Sequence, residues 1–348
     1  MENAFNTSEL GDAPDTTDPL KAEWRIHFKR ATCSDAALQD VNVAVREPIV
    51  GDWFKQGDLG YIYGPRGLGK TWLAMLLARK CVEGGMLASW DVLKPRRVLY
   101  VDGEMALDSI RQRNNALSQG QADGMYFLQH ENLFHTTGKV LNLTAPSAQA
   151  ALLEQCLEDK IEILLLDNLS CLFSGMNEND ADAWEQVLPW LLDLRRNKIA
   201  VVFVAHAGRN GCMRGTSRRE DAALWIISLR ECSAVDEPRE GARFSAEFVK
   251  NRNTTDAECP PMEWHIYLPP GETQAKVSWK RLEISEIFRQ CIEDGLVSAT
   301  AIAEELKISQ GQVSKMAKKA IIAGWLTKDG RDYALTGKGR RDEEEPES

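Results

Sequence analysis

The sequence has no Cys-x-x-Cys pair among its eight cysteines, and its Cys and His residues never fall at the spacing of a four-ligand zinc site. A zinc ribbon or finger is therefore excluded. A disulfide framework is not needed to hold a chain of 348 residues together. Long apolar runs are also missing. The longest, around 161–166 and 199–205, are of strand length and fall short of the roughly 20 residues of a membrane span. The amino-terminal stretch lacks the apolar segment of a secretory signal. A cytoplasmic protein with reduced thiols and no membrane partner is expected. Internal repeats are absent.

A positive charge excess is missing too: the formal net charge is -10. Residues 1–20 hold Glu2, Glu9, Asp12, Asp15 and Asp18 and no base, and residues 342–348 hold Asp342, Glu343, Glu344, Glu345 and Glu347. These two ends account for the whole excess, leaving 42 charges of each sign over residues 21–341. The acidic total thus excludes nothing about nucleic acid, and local charge decides that question. At 43% hydrophobic and 27% charged residues the chain can bury a sizeable core.

What is present is organised in blocks. Residues 1–20 and 337–348 read as charged, disordered tails. Residues 21–56 read as an adapter leading into the core. From Leu59 apolar strand-length runs alternate with helical stretches: strands at 59–63, 98–101, 125–129, 161–166 and 200–205, helices at 71–81, 107–117, 147–159 and 181–196. That alternation predicts an α/β fold with a mostly parallel sheet covered on both faces. Runs at 224–229, 243–249 and 262–268 predict an antiparallel extension. Pro269, Pro270 and Gly271 are taken as the boundary of the core domain, 21–270, and residues 281–336 as a small second domain.

Gly64, Pro65, Arg66, Gly67, Leu68, Gly69, Lys70 and Thr71 match GxxxxGK[ST] between an apolar strand and a helix. Glycines let backbone N–H groups wrap phosphates, and the helix N-terminus adds a favourable dipole. Lys70 reaches the β- and γ-phosphates, and the Thr71 hydroxyl can ligate Mg²⁺. ATP and Mg²⁺ are the expected ligands. Four apolar residues end at Asp167, the expected Mg²⁺ carboxylate. Asn168 follows where many P-loop enzymes carry a Glu. The general base is therefore sought at the end of the strand after the P-loop helix: Glu104 first, with Asp102 in reserve. His206, ending another strand, is expected to sense the γ-phosphate.

This ordered set resembles the RecA-like ATPase core. It is similar in particular to the hexameric RepA-type plasmid replicative helicases and the AAA_25-class ATPases, relatives of DnaB. The segment Met213-Arg214-Gly215-Thr216-Ser217 and the following Glu220-Asp221-Ala222-Ala223 add to the likeness, which covers roughly residues 45–270. The resemblance implies a homo-oligomer, a hexamer by analogy, with ATP between subunits. It also implies an arginine finger from the neighbour: Arg252 first, Lys250 second, with Arg214 competing. It implies that the window 206–219, with Arg209, Arg214, Arg218 and Arg219, lines a channel for single-stranded DNA. The acidic loop at 170–182 is a weaker DNA candidate, with contact to a neighbouring subunit as the alternative.

Residues 281–336 resemble a winged helix-turn-helix, with Lys315, Lys318 and Lys319 on the second helix and Lys328 and Arg331 on the wing. Such a domain implies DNA contact or docking of a protein partner. Two functions are expected from these readings. The first is an ATP-hydrolysing DNA motor of the replicative helicase type. The alternative is a regulatory or loader ATPase that binds DNA or a protein without unwinding. A small-molecule kinase would leave Arg252 and the C-terminal domain unexplained.

Overall fold

The computed structural model describes residues 18–41, 45–118, 120, 122–176, 184–208, 213–215, 217–232, 241–255, 257–282, 284–306, 308–322 and 324–336. Most of both charged tails, Arg209 and the acidic residues of 177–183 lie outside these. The chain divides into two units, Met1–Val45 and Arg46–Ser348.

The first unit carries helices α1 (Pro19–Ala31) and α2 (Asp35–Asp40). The Asp18 side chain accepts the Leu20 N–H, and Pro19 opens the helix where its missing N–H costs nothing. Residues 18–20, read from sequence as tail, thus belong to a capped helix start.

The second unit is built on one nine-stranded sheet. In chain order its elements are β1 (Pro48–Val50), β2 (Phe54–Lys55), β3 (Leu59–Gly64), α3 (Lys70–Glu83), β4 (Gly85–Leu87), β5 (Trp90–Val92), β6 (Val98–Asp102), α4 (Leu107–Leu117), β7 (Met125–Gln129), α5 (His130–Thr137), α6 (Pro146–Glu158), β8 (Ile163–Asp167), α7 (Leu169–Leu172), α8 (Leu188–Arg196), β9 (Ala200–His206), α9 (Ser217–Ala222), β10 (Trp225–Glu231), β11 (Ala242–Asn251), β12 (Met262–Tyr267) and β13 (Lys276–Arg281). The sheet order is β13-β12-β11-β10-β3-β9-β8-β6-β7. The six strands from β10 to β7 run parallel, and β11, β12 and β13 are antiparallel. The central strands are apolar throughout because both faces are covered. One core holds Ile62, Tyr100, Leu165 and Val202 under α3, and the other holds Tyr61, Val101, Leu166 and Phe203 under α6 and α8.

The sheet does not stop at residue 270. β13 pairs with β12 from Met262↔Arg281 to Tyr267↔Lys276, so the Pro269-Pro270-Gly271 segment is a hairpin connection inside the sheet. Gly271 has φ +79, which suits the turn. Arg281, taken from sequence as the first residue of the second domain, is the last residue of this strand.

Three helices, α10 (Ile284–Glu293), α11 (Ala299–Leu306) and α12 (Gln310–Ile322), and the hairpin β14 (Leu326–Asp329) and β15 (Asp332–Leu335) follow. They share a core of Phe288, Ile302, Val313, Ala317, Leu326 and Tyr333. Ser309 starts α12 with a reciprocal cap: its hydroxyl accepts the Gln312 N–H at 3.2 Å, and Gln312 Oε1 accepts the Ser309 N–H at 2.9 Å. Arg230 of β10 forms an ion pair with Glu305 of α11, joining this part to the sheet.

Candidate nucleotide site

Parallel strands bring their C-terminal ends to one edge of the sheet, where α/β proteins bind ligands. Here the register aligns Gly64 with His206 and Asp102 with Asp167. Four residues read separately from sequence thus meet along one line. Asp102, Asp167 and His206 border an open cleft together with Arg66, Gly67, Gly69, Lys70, Thr71 and Glu104.

The phosphate loop is shaped by two close approaches. Gly69 has φ +113, and a Cβ there would lie 2.6 Å from the Ala242 Cβ. A Cβ on Gly64 would lie 2.8 Å from the Leu229 carbonyl oxygen. Neither position admits a side chain. Lys70 is buried and donates from Nζ to the Pro65 carbonyl at 2.6 Å, across the mouth of the loop. Burial pulls its amine below the ordinary lysine range, while the carboxylates of Asp167 and Glu104 push it back up.

The carboxylates divide by environment. Asp167 is buried, accepts the Tyr100 hydroxyl at 2.7 Å and also the Thr71 hydroxyl. Burial raises its pKa and these two donors oppose the rise. Asp102 accepts the N–H groups of Glu104 at 3.2 Å and Met105 at 2.8 Å, which ties the turn after β6. Its other oxygen is buried with no hydrogen-bond partner among the described residues. Burial, then the nearby Asp167, push Asp102 up to about 7. Asp102 therefore builds the turn that carries Glu104. Glu104 itself is exposed at the cleft, and its carboxylate accepts the side-chain amide of Asn168, which a cis peptide joins to Asp167. Adjacent Asp167 and Thr71 oxygens suit Mg²⁺, which takes one or two protein oxygens and completes its shell with phosphate and water.

The AAA_25 family, an AAA domain, matches residues 25–211, more than half of the chain. The chain belongs to the AAA_25 family. It accordingly carries a P-loop ATPase domain. Among curated proteins none matches it significantly. Among solved structures, a KaiC-like protein from the hyperthermophilic archaeon Pyrococcus horikoshii is similar at 14% identity and a TM-score of 0.45, over 65% of this chain and 91% of that one.

The AAA_25 cleft also holds a cation outside the motifs. Arg113 of α4 lines it and lies over the Trp72 ring at 5.2 Å. The available signal was its spacing of three residues from buried Ile110, which puts both on one helix face.

The arginine window behaves differently from its reading as a uniformly DNA-facing loop. Its base is closed, since Ala207 bridges to Met213 and the Arg214 N–H donates to the His206 carbonyl at 3.1 Å. Arg214 is exposed there. Arg219 is only 1% exposed and its guanidinium lies over the Trp184 ring at 4.9 Å. A phosphate cannot reach it, so Arg219 is a packing residue and not a DNA contact. Arg209 and the Arg218 side chain lie outside the described residues.

Lys250 and Arg252 lie at the opposite edge of the sheet from Gly64. β11 starts with Ala242 against the phosphate loop and ends where Asn251 pairs with Trp225, the first residue of β10. An extra residue, Val249, interrupts the register, because Lys250 pairs with Ile226 and Phe248 with Ile227. Lys250 Nζ donates to the Glu220 carbonyl. Asn253 donates to the Asp58 carboxylate at 2.6 Å and to the Trp53 carbonyl at 2.9 Å, so the backbone beside Arg252 is pinned while the Arg252 side chain is exposed. Lys315, Lys318 and Lys319 are exposed on one helix, α12.

Proposed function

We propose that this AAA_25 protein is an oligomeric, ATP-hydrolysing motor on DNA, of the replicative helicase type, with each site completed by a neighbouring subunit. The observation that carries the reading is the position of Arg252. It is exposed, its neighbours are fixed, and it sits at the sheet edge remote from the chain's own phosphate loop. It cannot serve that loop, whereas a second copy could receive it.

In this mechanism the phosphate loop and Lys70 hold the β- and γ-phosphates. Thr71 and Asp167 would hold Mg²⁺, which screens phosphate charge. Glu104 accepts a proton from the attacking water, and His206, whose alignment with Gly64 supports the reading, senses the γ-phosphate. Arg252 of the adjacent subunit stabilises the charge of the transition state. Arg214 and Arg209 would contact a single strand through its phosphates, giving salt-sensitive binding without sequence preference. ATP hydrolysis stimulated by single-stranded DNA, together with strand displacement on forked duplexes, tests the motor. Stimulation without displacement would leave the ATPase and remove the helicase.

The alternative, a loader or regulatory ATPase, is favoured by residues 284–335. We read this three-helix and hairpin unit as a winged helix. The Arg230–Glu305 ion pair ties it to the sheet and its lysine face is exposed. Duplex binding that follows nucleotide state, with no displacement, would select this reading.

A further inference from the structure

Asn168 has a use that the absence of a Glu at its position conceals. It is 2% exposed, so water does not replace its partners. The two ends of its amide are assigned by those partners. The backbone N–H of Cys171 can only donate, so Oδ1 faces it, at 3.1 Å, and caps α7. Nδ2 is therefore the end that faces Glu104, and it donates to the Glu104 carboxyl group.

Glu104 needs such a partner. It lies on a turn beyond the end of β6, at the cleft surface, and a long side chain there has several rotamers to choose among. The Asn168 amide holds Oε2 and leaves Oε1 for a water molecule. The amide cannot drift, because its other end is fixed to α7.

We propose that Asn168 is the positioning residue for the hydrolytic base, aiming Glu104 while tying its orientation to helix α7; this rests on the reading of Glu104 as the base. Misplacement of a reacting group by about 1 Å can cost about 10²-fold in rate. Loss of the amide should thus appear in turnover and not in nucleotide affinity.

The test uses the full-length protein. Asn168→Ser keeps a capping oxygen for α7 and removes the donor to Glu104. Turnover of ATP is expected to fall about 30- to 100-fold, with KM and the affinity for a fluorescent ATP analogue within about twofold. Asn168→Asp also caps α7 but sets a carboxylate against Glu104, and an equal or larger loss is expected. Glu104→Gln should abolish hydrolysis, and adding Asn168→Ser to it should change nothing further, because the two act as one unit. Wild-type turnover in Glu104→Gln would remove the base reading itself. Wild-type turnover in Asn168→Ser, with hydrolysis lost in Glu104→Gln, would overturn the positioning role alone. A loss of nucleotide affinity in Asn168→Ser matching its loss of turnover would overturn it as well.

Discussion

The two ends of β11 sit in contrasting surroundings. At its start, Ala242 fills the space beside Gly69 in a cleft that already holds Lys70, Thr71, Asp167 and Glu104. At its end, Arg252 projects from a braced backbone with no phosphate loop of its own chain nearby. Ten residue steps lead from Ala242 to Arg252, roughly 33 Å at the usual rise. One end has the parts for binding and activating water, and the other has a cation without a site. Under the proposed reading, the contrast divides the catalytic parts between two subunits.

The comparison can be broken at either end. Lys70→Ala should have the largest effect, reducing hydrolysis to background, as a phosphate-release assay would show. Retained turnover would mean that the cleft is not the site. Arg252→Ala should lower turnover about 10³-fold, and mixing it with Lys70→Ala should restore activity, because some interfaces then pair an intact phosphate loop with an intact Arg252. No recovery in the mixture would return the site to a single subunit.

Smaller effects sharpen the contrast between buried and exposed cations. Arg219→Ala should lower unfolding free energy by about 2 kcal/mol through lost packing and cation–π contact. Arg214→Ala should leave stability within about 0.5 kcal/mol and weaken binding of single-stranded DNA. Denaturant melts and fluorescence anisotropy separate the two, and equal destabilisation would remove the distinction. Replacing Lys315, Lys318 and Lys319 by Ala should flatten the log-log salt dependence of duplex binding by up to about 2.7. An unchanged slope would assign that helix to a protein partner.

The last test concerns Asp102, raised from 3.8 to about 7. A carboxyl group whose folded pKa is raised favours the folded state when protonated. Its contribution is complete below its unfolded pKa and is lost as pH climbs to about 7. Asp102→Asn should flatten the stability profile between about pH 4 and pH 7. A profile as steep as wild type would place the titration elsewhere.

Much of the candidate site's geometry was legible because its residues are punctuation. Asp102, Asp167 and His206 each end an apolar run, and parallel pairing carries such ends to one edge. Gly64 to Thr71 form a motif whose spacing follows from phosphate geometry. Arg219 was misread because charge tells nothing of where a long side chain lies, and Trp184 is remote from it in sequence. Asn168 was seen only as a missing Glu, since the partner of its amide comes from another strand. The β13 strand was hidden by Pro269-Pro270-Gly271, which as easily turns a hairpin as separates domains.

β10 leaves the phosphate loop little slack. The Leu229 backbone lies so close to Gly64 that a Cβ there would not fit, and the next residue, Arg230, forms the ion pair with Glu305 of α11. Only one peptide link separates the two contacts, too short a span to absorb a displacement. A shift of the loop on filling with phosphate would therefore register among the C-terminal helices as strain rather than fade within the sheet.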